Sequence, residues 1–167
     1  MYKILVNTTF YIDQALRKCR YFPTPLLHAF DYATSSVIKF VYKRIGYPSV
    51  AGIGEDGVER FNVLLAHSPD FEFIEQCVLD ATREGSTDII GLTRLIDKLL
   101  VKRGEKQIWG NIVETKKEAD GWITKPMPLR YPDKVDSLRK NVGVEPLAEY
   151  LEEAEKMFIK IYRKRDV

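Results

Sequence analysis

Cysteine and histidine are scarce in this chain. With two of each among 167 residues, the cysteines do not make a disulfide framework, and no histidine–cysteine metal site is expected, because the residues lack ligand-like spacing. No apolar run approaches the ~20 residues that cross a bilayer as a helix. The apolar start, Met1 to Asn7, is too short for a secretory signal, so a soluble, cytoplasmic protein is expected. No Gly-x-Ser-x-Gly elbow occurs. Neither Cys19 nor Cys77 has an activating histidine nearby in sequence, which argues against nucleophilic catalysis. We expect no cofactor, no metal, no membrane partner and no nucleic-acid partner. The sequence sets no oligomeric state.

What is present describes an ordinary globular domain. Hydrophobic residues make up 45% and charged residues 30%, with a net charge of +2. The charge is uneven: 7 basic and 2 acidic side chains in residues 1–50, 4 and 10 in 51–100, and 15 and 12 beyond. Ten of the nineteen aromatics also fall in the first fifty residues. They are read first as packing residues, and only then as a basic, aromatic face for an acidic partner. The Lys160–Arg165 cluster suits a solvated helix end.

Apolar spacing predicts about six helices and one antiparallel hairpin in a single domain over 1–167, a mainly α fold. Residues 1–25 are the least defined part: Tyr2 to Val6 fits either a strand or a helix start. Phe30, Ala33, Val37, Phe40, Val41 and Ile45 then recur at helical spacing up to Gly46. The glycine-rich segment 52–57 reads as a loop, with Asp56 and Glu59 as a capping box. Its glycines match a dinucleotide fingerprint by count, but no strand clearly precedes them and the acids would repel phosphates. A helix through Phe61, Leu64 and Leu65 ends near His67. The next one turns Phe71, Ile74, Cys77, Val78 and Ala81 inward and stops at Gly85. Thr87 caps a third, with Ile89, Leu92, Leu95, Ile96 and Leu99 on one face. The period then changes. Gln107 to Thr115 and Gly121 to Lys125 read as strands around a polar turn. A short helix from Asp133 to Asn141 follows, and a last one starts at Pro146 with Leu147, Tyr150, Leu151, Ala154, Met157, Phe158 and Ile161 inward.

Several segments, taken in order, resemble one bacterial family, the domain of unknown function numbered 6624. They are Gly46-Tyr47-Pro48, Gly54-Glu55-Asp56-Gly57, Leu64-Leu65-Ala66-His67, Asp97-Lys98 through Gly104, Gln107-Ile108-Trp109-Gly110, Pro128, Pro132, Val135-Asp136, Arg139, Gly143 and Pro146 to Leu151. The resemblance covers roughly residues 40–151 and leaves the N-terminal third unmatched. It implies a small, mostly helical domain from a bacterial or phage-like source, and it supplies no reaction. Against the family pattern, Pro69 stands where an Asp is usual, Trp109 replaces a Tyr, and Asn111 replaces a small hydroxyl residue.

Five residues form the candidate binding site. His67 handles protons near neutral pH but, at a helix end, also suits a structural bond to an acid such as Asp70. Asp97 falls opposite its helix's apolar stripe. It reads either as a solvated acid paired with Arg94 or as the group that orients Gln107 or Asn111. Gln107, Trp109 and Asn111 alternate along a strand and so share a face, offering amides beside an aromatic ring. His28 reads as a surface residue. The leading function is a non-enzymatic binding module for a small polar ligand or a protein segment. The alternatives are a hydrolase or group-transfer enzyme using His67 and Asp97, and a protein-interaction factor in bacterial or phage conflict.

Overall fold

The computed structural model describes residues 1–19, 23–119 and 121–162, with the side chains of 161 and 162 left out. The expectations for the Ile161 side chain, for Asp120 at the end of the polar turn expected over Lys116 to Asp120, and for the cluster's residues 163–165 lie outside that description. The chain is mainly α with one two-stranded hairpin, and it divides into two compact units, Met1–Leu95 and Ile96–Val167.

The first unit is built from α1 (Tyr2–Lys18), α2 (Thr24–Ile45), α3 (Val50–Ile53), α4 (Glu55–His67), α5 (Phe71–Glu84) and the start of α6 (Ile89–Lys102). The ambiguous N-terminus is therefore helical. Helix α2 forms where expected but is rotated. It buries Thr34, Ser35, Ile38 and Val41, while Phe40 is 43% exposed. The expected stripe followed only the apolar residues, and α2 turns two hydroxyls inward. Segment 52–57 is not all loop. Ser49 caps a single turn of helix, its Oγ accepting from Gly52 N at 3.2 Å. The expected capping box does not form. Gly54, at φ 78°, is the N-cap of α4, and Asp56 pairs with Arg60 one turn on, at 3.3 Å. Positive φ is easy for glycine and strained for other residues.

The core of this unit is apolar. Val6, Ile38, Val41, Phe61, Leu64, Leu65, Ile74, Cys77 and Ala81 have no exposed surface. Cys77 is the small buried side chain the sequence suggested, and burial pushes its thiol's pKa up. Asp70 caps α5, accepting from Phe73 N at 2.9 Å, and Gly85 closes the helix in the left-handed region. Helix α6 is capped one residue later than expected. Asp88, not Thr87, accepts from Gly91 N at 2.8 Å.

The second unit continues from α6 into an irregular loop, then β1 (Val113–Glu118) and β2 (Gly121–Pro126). A 3-10 turn (Pro132–Lys134), α7 (Val135–Asn141) and α8 (Leu147–Tyr162) complete it. The strands pair antiparallel from Val113 opposite Pro126 to Glu118 opposite Gly121. A lone hairpin is marginal in water. Here α8 supports it: Trp122 meets Phe158 edge-to-face at 5.1 Å, and Glu155 Oε2 accepts from Thr124 N at 2.9 Å. The expected first strand begins six residues late, because residues 107–112 make a different structure.

Candidate functional site

That structure is a loop wound on a carboxylate. Gly104, at φ 74°, ends α6, and the chain folds back over Asp97, which is fully buried. Asp97 is thus neither solvated nor opposite the buried side. Its Oδ1 accepts from Ile108 N at 2.7 Å and more weakly from Trp109 N at 3.3 Å. Its Oδ2 accepts from Trp109 N at 3.2 Å, Asn111 N at 3.0 Å and Asn111 Nδ2 at 3.0 Å. A buried carboxylate needs donors, and an irregular loop has backbone N–H groups to give. Each satisfies the other.

Gln107 does a second piece of the same work. It is fully buried. Its Nε2 donates to Ile112 O and to Met127 O, both at 2.8 Å, and its Oε1 accepts from Ile112 N at 2.9 Å. The side-chain amide acts as an extra peptide group at the root of the hairpin. Arg139, only 1% exposed, closes the far side. It donates to Trp109 O at 2.7 Å and Glu145 O at 2.6 Å, and its guanidinium stacks 4.8 Å from the Tyr150 ring centroid. The Tyr150 hydroxyl donates to Asn111 O at 2.9 Å. Gly110, at φ 77°, adopts a backbone conformation that strains other residues. A Cβ there would also lie 2.8 Å from Leu147 Cδ1, so that side chain would have to shift.

Of the five residues singled out in the sequence, the second unit therefore brings Asp97 and Asn111 into direct contact. Gln107 sits at the other end of the same loop, and Trp109 contributes its backbone N–H and C=O. The alternation that was to put Gln107, Trp109 and Asn111 on one face does not apply, because this stretch is not a strand. Arg139 and Tyr150 complete the arrangement. Both belong to the family-like pattern, yet no spacing in the sequence announces that they hold this loop.

His67 belongs to the first unit, at the last turn of α4. Its acidic neighbour is Asp13 of α1, not Asp70. Nδ1 stands 3.0 Å from Asp13 Oδ2, off the line of a good hydrogen bond, and the side chain keeps 26% exposure. Asp13 is fully buried. Its oxygens accept from Arg17 Nε at 3.0 and 3.1 Å and from Gln14 Nε2 at 3.0 Å. Arg17 pairs in turn with Asp31 of α2. Burial alone would raise the Asp13 carboxyl, but His67 and Arg17 outweigh it and hold the group below the usual carboxylate value. His28 is 72% exposed, as a surface residue should be.

The first unit also holds an open cleft of about 500 Å³ between α2 and the start of α5, lined by Tyr32, Ser35, Ser36, Lys39, Asp70 and Glu72 among others. Most of its polar groups are already oriented. Ser35 Oγ lies 2.8 Å from Ser68 Oγ, and Ser68 directly follows His67. Lys39 pairs with Asp70 and lies 5.6 Å from the Phe73 ring centroid. The lysine beside it, together with the Phe73 N–H, holds the Asp70 carboxyl below its usual value.

These features define a mainly helical protein with an apolar first unit and a hairpin-bearing second unit. The chain belongs to the family of unknown function DUF6624, whose pattern matches residues 27–161. The match extends the sequence resemblance at both ends and leaves α1 outside. No curated protein and no solved structure matches the chain. No helix among the described residues is long and apolar enough to cross a membrane, and no group of three or more His, Cys, Asp or Glu among them is placed to hold a metal ion.

Proposed function

We propose that this protein is a binding module for a small polar ligand, and that the ligand sits in the first unit's cleft. The observation that carries this reading is the pre-set polar wall: Ser35 held by Ser68, and Lys39 held by Asp70. The cleft volume lies within the ~300–1,000 Å³ range of small-molecule pockets. Groups fixed before binding lose little entropy when a ligand arrives. The carboxamides of Gln107 and Asn111 do not enter this reading, since they hydrogen-bond within their own unit. A thermal-shift screen of small polar compounds tests the proposal, because a ligand that binds only the folded state raises the melting temperature. Hits should be lost in Lys39→Ala and Ser36→Ala and kept in Asn111→Ala. Hits kept in both cleft variants, or no hits at all, would count against the cleft.

A second reading, a hydrolase or group-transfer enzyme, is favoured by one specific observation. His67 keeps part of its ring in solvent while a buried carboxylate stands behind Nδ1. A small turn of the ring would bring that approach into line, and an acid so bonded orients a proton-handling histidine. In this reading Asp13, not Asp97, takes the orienting role, because it is the carboxylate that stands beside His67. Turnover of an activated ester that vanishes in His67→Ala and falls in Asp13→Asn would favour it. Equal rates in all three proteins would remove it.

A further inference from the structure

The cleft of the first unit has two walls. On α2, Tyr32, Ser35, Ser36 and Lys39 recur at helical spacing and line one face. The other wall is the start of α5, with Asp70 and Glu72. Three of these lining side chains are charged, and two of them are spent on each other. Asp70 Oδ2 pairs with Lys39, while Oδ1 accepts from Phe73 N at 2.9 Å. The exposed Glu72 carboxylate has no ion-pair or hydrogen-bond partner among the described residues. Its place in the first turn suits the α5 dipole, and that role leaves both oxygens open. The unbalanced charge of the cleft is therefore a single negative one. We propose that the ligand of this cleft, taken as the binding site described above, is a small ammonium compound that also carries a hydroxyl or carbonyl oxygen.

Charge and hydrogen-bonding capacity select the same chemistry. A cation approaches Glu72 without disturbing the Lys39–Asp70 pair. An anion would have to face Glu72 and compete with Asp70 for Lys39, and such like-charge encounters discriminate against the wrong ligand. Ser36 Oγ already donates to Tyr32 O at 3.0 Å, so what it has left to offer is an acceptor lone pair. An ammonium brings N–H donors, which suit the Ser36 oxygen and the Glu72 carboxylate alike. The ligand's own oxygen has a counterpart in Lys39, because a lysine ammonium has more N–H donors than one carboxylate oxygen takes up. Tyr32, 65% exposed, adds a ring face on which a cation can rest. The cleft is open, so water screens these charges, and binding is weak and salt-sensitive.

The test is a resonance titration of the full chain with compounds that share one carbon skeleton: serinol (an ammonium), glycerol (neutral) and glycerate (an anion). Serinol should shift the backbone amides of Ser36, Lys39 and Glu72 at the lowest concentration, glycerol next and glycerate last. Glu72→Gln, at an exposed position, should weaken serinol about threefold and leave glycerol unchanged. Added salt should weaken serinol in the same way. Glu72→Lys should put glycerate first. A short lysine peptide separates the two sources of an ammonium: it should bind no better than serinol, and a peptide that binds while serinol does not would overturn the small-ligand claim. Glycerol or glycerate leading, with shifts confined to the cleft, would overturn the ammonium assignment and leave the cleft as the binding site. Shifts confined to residues outside the cleft would overturn both, and no shift with any compound would overturn the ammonium assignment.

Discussion

The two units solve the same problem with opposite materials. The first buries Phe61, Leu64, Leu65, Ile74 and Ile38, and, apart from the buried Asp13, the partners in its ion pairs are at least partly exposed. The second has few fully apolar buried side chains. What it buries is Asp97, Gln107 and Arg139, each with its hydrogen bonds met inside the protein. An apolar core tolerates changes of shape, because its attraction has no direction. A buried polar network does not, because each lost partner leaves an unpaired group. The second unit should therefore be the less forgiving of the two, and its loop should be rigid for reasons unrelated to ligand binding.

Single substitutions can break that contrast. Asp97→Ala strands the N–H groups of Ile108, Trp109 and Asn111 together with the Asn111 amide. At ~1–3 kcal/mol per unsatisfied buried group, the loss is on the order of 5 kcal/mol, and the backbone amides of 108, 109 and 111 should lose hydrogen-exchange protection first. Phe61→Ala in the first unit costs about 3–5 kcal/mol by cavity formation, measured by chemical denaturation. Phe61→Leu should recover most of that loss, whereas Asp97→Asn should recover only part of its own, because an amide brings two N–H donors where one oxygen had accepted.

Acid titration sharpens the comparison at smaller amplitude. The Asp13 and Asp70 carboxyls lie below their usual value of 3.8 in the folded protein. Groups depressed in this way contribute stability above their unfolded pKa and lose it as pH falls through the folded value. Stability should thus be flat above about pH 5 as far as these groups are concerned, and should fall progressively below about pH 4. Asp13→Asn should flatten the acid limb of a melting-temperature-against-pH curve, and an unchanged limb would remove Asp13 as a contributor. The smallest effect is chemical. Cys19 is exposed and Cys77 buried, so a thiol reagent should label one cysteine in the native protein and the second only on unfolding.

The helices were legible because α4, α5 and α6 obey a 3.6-residue apolar period with a glycine or an acid at their ends. The rotation of α2 was not, because Thr34 and Ser35 are polar in sequence and buried in the fold. The loop at 107–112 was misread for a related reason. Alternating Gln107, Trp109 and Asn111 looks like a strand when only the period is counted. Its true partner, Asp97, lies one helix back and competes for the backbone N–H groups that a ladder would have used. From sequence, Asp97 reads either as a solvated acid paired with Arg94 or as the group that orients Gln107 or Asn111, and the structure realises the contact with Asn111. Sequence reasoning had no means of pairing Asp13 with His67, two residues 54 positions apart that meet only because α1 lies along α4.

Backbone and side-chain amide resonances, followed while a small polar hit from the thermal screen is titrated in, test most directly the claim that ligand recognition belongs to the first unit and the second unit's loop is structural. The account predicts shifts concentrated at Ser36, Lys39, Asp70 and Glu72, with Ile108, Trp109 and Asn111 unmoved. Shifts concentrated at Trp109 and the Asn111 and Gln107 side-chain amides, with the cleft silent, would contradict it.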